Sequence, residues 1–200
     1  NGAISKKHFL KGKTLGITEY LAEKTKKKNK VAMLIFNKKL SVSPITTHLP
    51  LKDVYKNISR QKIYNHIKLI SEFYKLNFKK DPKIAITGLN PHCESNFEDS
   101  EENTTIIPAI KKLKIKNFKV EGPYPADTIF MQQNSKKFDV VVGMYHDQVL
   151  TPMKALFGFD AVNITLGLPF IRISPDHGPN SSMLGKNLSD PKSLVEALNF

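Results

Sequence analysis

The sequence predicts an α/β fold with much parallel strand pairing. Short apolar segments such as "KIAIT" and "FDVVVGM" have the composition of buried strands, and amphipathic segments with helical spacing lie between them. This alternation is typical of a largely parallel sheet covered by helices. The 200 residues, 40% of them hydrophobic, are enough for one substantial core or two small domains.

The first half of the chain contains two predicted helices around one strand. Residues 59–78 form an amphipathic helix with Ser59 as its N-cap. Its apolar residues recur every three or four positions: Ile63, Ile67, Ile70, Phe73 and Leu76. The strand "KIAIT" then leads into "GLNPH". A second helix is expected over residues 101–114, where Pro108 must start, kink or interrupt it. Its inward-facing residues are Ile106, Ile107, Ile110 and Leu113.

The second half continues the alternation. "FKV" is a predicted strand that ends at "EGPYPADT", and a short helix is expected after Pro125. "FDVVVGM" is the clearest strand of the sequence. "AVNITLGLPFIRIS" contains one or two further strands, and "DPKSLVEAL" is a closing helix capped by Asp190.

Composition argues against several classes of protein. The net charge of +13 comes from lysines spread along the chain, and only Arg60 and Arg172 are arginine. A nucleic-acid surface usually concentrates charge and mixes in arginine and aromatic side chains, so no nucleic-acid partner is predicted. No apolar run has the length needed to cross a bilayer, so no membrane partner is predicted either. The single cysteine, Cys93, favours a reducing, cytoplasmic location.

Polar motifs follow the predicted strands, where an α/β fold places its ligands. Four of the six histidines lie in such turn-forming or strand-ending segments: His48, His92, His146 and His177. One histidine at a strand end usually has a structural role, but several at corresponding ends of one sheet favour a divalent metal with a position left for substrate. The spacing matches no short metal-binding motif.

Other polar residues near strand ends allow both functional and structural roles. Asp127 could orient a ligand histidine, transfer a proton, or cap the helix that follows it. Lys154, Asn163 and Arg172 together would suit a phosphorylated substrate, although each alone could equally be structural. Cys93 is interpreted as a small packing residue.

The motifs "TTHLPL", "GLNPH", "GPYPADTIF", "MYHDQ", "VNITLGLPFIRIS" and "DHG" resemble, in order and spacing, the signatures of the 4-hydroxythreonine-4-phosphate dehydrogenase family. The resemblance implies an isocitrate/isopropylmalate dehydrogenase-like fold with two domains, a homodimer, NAD or NADP, and a divalent metal (Zn, Mg or Co). It also implies oxidation and decarboxylation of 4-phosphooxy-L-threonine to 3-amino-2-oxopropyl phosphate, in pyridoxine 5'-phosphate biosynthesis.

The resemblance also implies roles for individual residues. The metal ligands, assembled from both subunits of the dimer, are His48, His92 and His146. The substrate-binding positions are Thr18, Lys154, Asn163 and Arg172. Asp127 and Lys154 are the candidate catalytic residues, and the candidate cofactor contacts are His177, Gly178 and Asn187.

Departures from the family pattern leave alternatives open. About a third of the usual chain, including the N-terminal part of the cofactor domain, has no counterpart before Asn1. Residues 1–200 are therefore interpreted as a continuous fragment of a two-domain dehydrogenase, with no internal boundary assigned. Ile17 replaces a substrate-contacting histidine of the family. The alternatives are a paralogous dehydrogenase acting on a four-carbon sugar-acid phosphate, and a catalytically silent metal-binding or dimerisation fragment.

Overall fold

A computed structural model describes residues 16–28, 30–93, 97–176 and 181–200. Within these ranges the chain forms one seven-stranded sheet. Its strands, in chain order, are β1 (Ala32–Phe36), β2 (Ser41–Thr46), β3 (Ile84–Thr87), β4 (Val120–Tyr124), β5 (Val140–Tyr145), β6 (Val162–Leu166) and β7 (Arg172–Pro175). Their order across the sheet is β4-β3-β5-β2-β1-β6-β7.

Helices connect and cover these strands. In chain order they are α1 (Ile17–Lys24), α2 (Leu51–Val54), α3 (Arg60–Phe78), α4 (Ile107–Ile115), α5 (Gln132–Ser135), α6 (His146–Phe157) and α7 (Lys192–Asn199). None of the helices in the described ranges is a candidate membrane span.

The sheet is mixed, which confirms the predicted α/β class with much parallel pairing. β4, β3, β5 and β2 are parallel to one another, whereas β1 is antiparallel to β2 and β6, and β7 is antiparallel to β6. The connections from β1 to β2 and from β6 to β7 are short loops. Such loops join antiparallel neighbours, whereas a parallel pair needs a long crossover.

The core lies on both faces of the sheet. On one face α3, α4 and the helical turn before α4 cover the sheet with fully buried side chains, among them Ile63, Ile67, Ile70, Ile106 and Leu113. On the other face α6 packs Val149 and Met153 against Val141 of β5 and Val42 of β2. β5 alternates between the two clusters, because successive strand residues point to opposite faces. β5 thus contributes to both halves of the core, and "YHDQ" begins at its last residue, Tyr145.

The predicted helix over residues 59–78 is confirmed as α3. The Ser59 hydroxyl accepts a hydrogen bond from the backbone N–H of Lys62, as predicted for an N-cap. Leu76, the last of the regularly spaced apolar residues, is 73% exposed and does not belong to the buried face. The buried stripe continues from Ile70 to Tyr74, four residues on, and Leu76 lies nearly opposite Tyr74 on the helix.

The other predicted elements are confirmed with shifted boundaries. A π-helical turn over Glu102–Ile106 precedes α4, and Pro108 is the second residue of α4. β4 begins at Val120 and continues through "EGPY", which was expected to be a loop. The helix expected after Pro125 is a turn followed by α5. Asp190 accepts a hydrogen bond from the backbone N–H of Lys192 at the start of α7.

His66 is buried on α3. Its Nε2 lies 2.6 Å from the Ser43 hydroxyl, which itself donates to the backbone carbonyl of Met33. Burial, with a smaller contribution from the Lys62 charge, lowers the pKa of His66 to about 3. The imidazole is therefore neutral in the folded chain at neutral pH.

We expect His66 to make folding sensitive to mild acid. Its pKa in the folded state is below the ordinary value, so the unfolded chain takes up the proton more readily and stability is lost as pH falls below about 6.5. Between about pH 7.5 and pH 5.5 this one group should lower the free energy of unfolding by roughly 1.4 kcal/mol. Urea unfolding of the parent and of His66→Gln at both pH values measures it. Identical pH dependence in the two proteins would contradict the prediction.

Candidate functional site

The carboxyl ends of β2, β3, β4 and β5 meet at one edge of the sheet, because these strands are parallel. His48 follows β2, His92 follows β3 and His146 follows β5. Thr46 and Tyr145 are aligned across the β2–β5 pair. This alignment places the two histidines side by side, with 6.0 Å between the ring centroids of His48 and His146.

The abrupt change from apolar residues in "VVVGM" to polar residues in "YHDQ" is explained by hydrogen bonds that the Gln148 side chain makes at the end of the strand. β5 ends at Tyr145, α6 begins at His146, and Gln148 folds back into the sheet. The Gln148 side-chain oxygen accepts from the Met144 N–H at 2.6 Å and from the Thr87 hydroxyl at 2.9 Å, while its amide donates to the Gly88 carbonyl at 2.8 Å. Gln148 thus ties β5 to β3 and holds the start of α6. Sequence reasoning missed this role.

A carboxylate contacts the Nδ1 atom of each of the two histidines. Glu19 Oε1 lies 3.3 Å from His48 Nδ1 and accepts from the Thr47 hydroxyl at 2.8 Å. Asp147 Oδ1 lies 2.6 Å from His146 Nδ1. Both rings therefore have Nε2 available as a ligand atom, and a carboxylate on the opposite nitrogen is the usual companion of a metal-bound histidine.

Glu19 is ionised in this setting. Burial alone would raise its pKa, but hydrogen bonds from His48, its own backbone N–H and Thr47 lower the pKa of Glu19 to about 2. Its Oε1 carries the two side-chain contacts, whereas Oε2 is buried and has no hydrogen-bond partner in the part of the chain that the structure describes. Sequence reasoning missed Glu19, whose position one residue after Thr18 was the only available signal.

His92 differs from the other two predicted ligands in its backbone conformation and its exposure. It is exposed, it belongs to a short turn over Pro91–Cys93, and its φ of 58° is in the left-handed region. No group of three or more His, Cys, Asp or Glu residues among residues 16–28, 30–93, 97–176 and 181–200 is arranged to hold a metal ion. One chain thus brings together two of the three predicted ligands.

A second group of predicted residues converges around Arg172. Its guanidinium donates to the Thr18 hydroxyl at 3.2 Å and to the Thr165 hydroxyl at 2.6 Å. Thr165 pairs with Arg172 in the β6–β7 ladder, and Asn163 lies two residues earlier on the same face of β6. Arg172 Nε and Asn163 Oδ1 are buried, and neither has a partner among the described residues. Unpartnered buried polar atoms of this kind are suited to a polar ligand.

Burial lowers the pKa of Arg172, and the negative charge of Glu19 acts in the opposite direction. Glu19 is therefore electrostatically linked to Arg172 and hydrogen-bonded to His48. Because Thr18 and Glu19 are consecutive on α1, this helix connects the Arg172 group with the histidine pair. The two groups form one continuous candidate site.

Lys154, Asp127 and Asn187 belong to neither group. Asp176, the partner of Lys154, follows β7 at the end of the sheet opposite the two histidines, because β7 is antiparallel to β6 and β6 runs in the same direction as β2. Lys154 is on α6, and its ammonium contacts both the backbone oxygen and the carboxylate of Asp176 at 2.5 Å. Asp127 is exposed in the turn after β4. Asn187 is exposed with a φ of 53°. The other two predicted cofactor contacts, His177 and Gly178, lie outside the described residues.

A cavity of about 340 Å³ adjoins the site between α1, the β1–β2 hairpin and α3. Thr18 and Glu19 form part of its wall, with Lys62 and His66 on the side of α3. The three histidines predicted as metal ligands do not line it. The cavity is therefore separate from the histidine pair, and Glu19 contacts both: it lines the cavity and it binds His48.

Gly16 makes room for the Glu19–His48 pair, and we expect Gly16→Ala to disturb it. A Cβ at this position would lie 2.6 Å from Glu19 Oε2 and 2.9 Å from His48 Cε1. The φ of −164° accommodates alanine, so any effect would come from this contact. Displacement of His48 should weaken Zn²⁺ binding by about tenfold, a loss typical of a disturbed ligand orientation. Calorimetric titration with Zn²⁺ measures it, and an unchanged affinity would contradict the prediction.

Comparison with known proteins agrees with the resemblance seen in the motifs. A family model described as "Pyridoxal phosphate biosynthetic protein PdxA" matches residues 2–200. A 4-hydroxythreonine-4-phosphate dehydrogenase of Sulfurihydrogenibium sp. is 48% identical over 187 residues, which cover 92% of this chain and 57% of that protein. A protein of Oceanobacillus iheyensis named "Putative D-threonate 4-phosphate dehydrogenase" is 42% identical over 187 residues, with 92% of this chain and 56% of that protein covered.

Among solved structures, a 4-hydroxythreonine-4-phosphate dehydrogenase from Klebsiella pneumoniae superimposes with a TM-score of 0.83 at 35% identity. The match covers 99% of this chain and 60% of that one. The chain thus spans somewhat more than half the length of the relatives it matches. With its family model matched over nearly its whole length, the chain belongs to the PdxA family of pyridoxal phosphate biosynthetic proteins.

Proposed function

We propose that the chain is the larger part of a metal- and NAD(P)-dependent 4-hydroxythreonine-4-phosphate dehydrogenase. In the proposed reaction the C3 hydroxyl of 4-phosphooxy-L-threonine is oxidised to a ketone, NAD⁺ or NADP⁺ accepts the hydride, and the carboxylate leaves as carbon dioxide. The product is 3-amino-2-oxopropyl phosphate. The proposal includes the isocitrate/isopropylmalate dehydrogenase-like, two-domain architecture and a cytoplasmic location.

One observation carries this proposal: α1 joins the pair of histidines, each of which contacts a carboxylate, to a partly buried arginine. Thr18 accepts from Arg172, and the next residue, Glu19, contacts His48, which lies beside His146. The first group has donors suited to an anionic end of a substrate, and the second has the imidazole nitrogens that borderline divalent metals prefer. A substrate that carries a phosphate and a metal-chelating hydroxyl would fit both groups at once.

The residues of this chain fit a divalent metal in part. His48 and His146 would bind it through Nε2, and a homodimer would supply His92 from the second copy as the third ligand. When bound, the metal supplies Lewis acidity at the substrate hydroxyl, and the dinucleotide supplies the hydride acceptor. Arg172 and Thr18 would hold the unreactive anionic end, so that their binding energy positions the carbon that reacts. Asn163 Oδ1, an acceptor, would take a hydrogen bond from a substrate hydroxyl or amine.

Lys154 is a weaker part of the proposal than Arg172. Its ammonium is paired with Asp176, so a substrate phosphate must share that cation with a carboxylate or displace it. Asp127 is proposed as a proton-transfer group or an orienting group for a ligand histidine. The proposed cofactor contacts are His177, Gly178 and Asn187.

Formation of NADH or NADPH by the purified chain tests the proposal. The assay contains Zn²⁺, Mg²⁺ or Co²⁺ and 4-phosphooxy-L-threonine, and it is repeated with a longer gene product where residues precede Asn1. Metal-dependent turnover supports a dehydrogenase. Metal binding without turnover by either protein would favour the catalytically silent module.

A second candidate is a dehydrogenase of a four-carbon sugar-acid phosphate. The observation that favours it is Ile17, a half-buried apolar residue at the start of α1 next to Thr18, together with the 42% identity to the Oceanobacillus iheyensis protein. Isoleucine offers no hydrogen bond to a substrate. Side-by-side assays with 4-phosphooxy-L-threonine and D-threonate 4-phosphate separate the two candidates through their kcat/KM ratio.

A further inference from the structure

We propose that Glu19 is a positioning residue: it holds His48 in the tautomer that has its proton on Nδ1 and presents the bare Nε2 to a metal ion. This inference rests on the proposed metal site and adds a residue to it. Glu19 is on α1, whereas His48 follows β2, so the pair also ties the helix to the sheet edge.

The hydrogen bonds around Glu19 determine the tautomer. A carboxylate oxygen can only accept, so the 3.3 Å contact between Glu19 Oε1 and His48 Nδ1 requires the proton on Nδ1. The Thr47 hydroxyl donates to the same oxygen at 2.8 Å and restricts where it can lie. A neutral imidazole with Nδ1 protonated has its lone pair on Nε2, which is the atom a metal binds.

The packing around the pair limits its other orientations. Glu19 Oε2 and His48 Cε1 pack so closely against Gly16 that a side chain at this position would collide with both atoms. The side chains of His48 and Glu19 are 28% and 29% exposed, whereas the corresponding carboxylate on His146, that of Asp147, is 79% exposed. An exposed pair is screened by water and contributes little, so Glu19 should orient its histidine more strongly than Asp147 does.

Two measurements on Glu19→Ala test the inference, with Glu23→Ala as the matched control one turn further along α1. The first reads the ring ¹⁵N shifts of His48 in the metal-free chain. The parent should show protonated Nδ1, and Glu19→Ala should shift the ring toward the form protonated on Nε2, which is the more common one in water. The second measures Zn²⁺ affinity by calorimetry, where Glu19→Ala should bind about 10- to 100-fold more weakly than the parent. Glu23→Ala should match the parent in both.

Glu19→Gln keeps the shape of the side chain and provides a second test if the alanine variant does not fold. Its neutral amide should support His48 less well and give an affinity between those of the parent and Glu19→Ala. Suppose that the parent binds Zn²⁺ and His146→Ala does not. Parent-like ¹⁵N shifts or parent-like Zn²⁺ affinity in both Glu19 variants would then overturn the inference about Glu19 but leave the proposed metal site standing. A parent chain without Zn²⁺ affinity would overturn the proposed metal site and the inference with it.

Discussion

Replacement of His146 by alanine is expected to abolish binding of a divalent metal while leaving the fold intact. His146 is the first residue of α6 at the end of a fully buried strand, and its side chain is partly exposed beside His48. The strand end is held by the buried Gln148 side chain, not by the histidine. Removal of the imidazole therefore takes away a predicted ligand without removing a structural contact of the core.

Calorimetric titration with Zn²⁺ and metal content after dialysis measure this result. Loss of a direct ligand should weaken binding by more than the roughly 10- to 100-fold that is typical of residues that only orient a ligand. His66→Gln is the matched control, because His66 is buried on α3 and is not part of the predicted ligand set. Equal metal content in His146→Ala and the parent would rule out His146 as a ligand.

The same metal-binding measurements test whether the site is built from two subunits. If His92 comes from a second copy, His92→Ala should weaken binding as severely as His146→Ala, and one metal should bind per ligand set across the dimer interface. Mixing the two variants should restore some metal binding, since one of the two sites in a mixed dimer then has all three histidines. Full metal binding by a dilute monomer would contradict the shared site.

The sequence predicted the place of the site better than its internal contacts. "YHDQ" and "GLNPH" come at the ends of strands that proved parallel, so the edge where their polar residues gather could be predicted from strand direction alone. β1 and β2 were not predicted as strands. "SVSPIT" contains serines and Pro44, which are unusual in a central strand. The structure accommodates it because β1 and β2 are aligned only at Ile35 and Val42, and the buried serines find partners elsewhere.

The contacts that build the site link distant parts of the chain, which a single sequence does not reveal. Glu19 meets His48, Arg172 meets Thr18, and Gln148 meets Thr87, with sequence separations of 29, 154 and 61 residues. No local spacing rule connects such pairs. The family resemblance supplied Thr18 and Arg172 as candidates but gave no indication that Glu19 lies between them and the histidines.

Arg172→Ala is expected to weaken a phosphorylated substrate far more than its unphosphorylated analogue. Arg172 has a buried Nε without a partner among the described residues, and a phosphate would be bound by a guanidinium through charge-assisted hydrogen bonds. Loss of such a contact typically costs ~1.5 to 3 kcal/mol, which corresponds to roughly a 10- to 150-fold weaker affinity. Arg60→Ala is the matched control, since Arg60 is the only other arginine of the chain and its Nε donates to the Thr104 carbonyl.

Lys154→Ala should show the same preference with a smaller effect, because the Lys154 ammonium already has Asp176 as a partner and gives up part of that interaction to bind a phosphate. Calorimetric titration of each variant with 4-phosphooxy-L-threonine and with 4-hydroxy-L-threonine measures both effects. If Arg172→Ala weakens the two ligands equally, Arg172 supports α1 through Thr18 without contacting phosphate. If Lys154→Ala has the larger effect, the phosphate lies nearer α6 than β7, and the unpartnered Nε of Arg172 faces another part of the substrate.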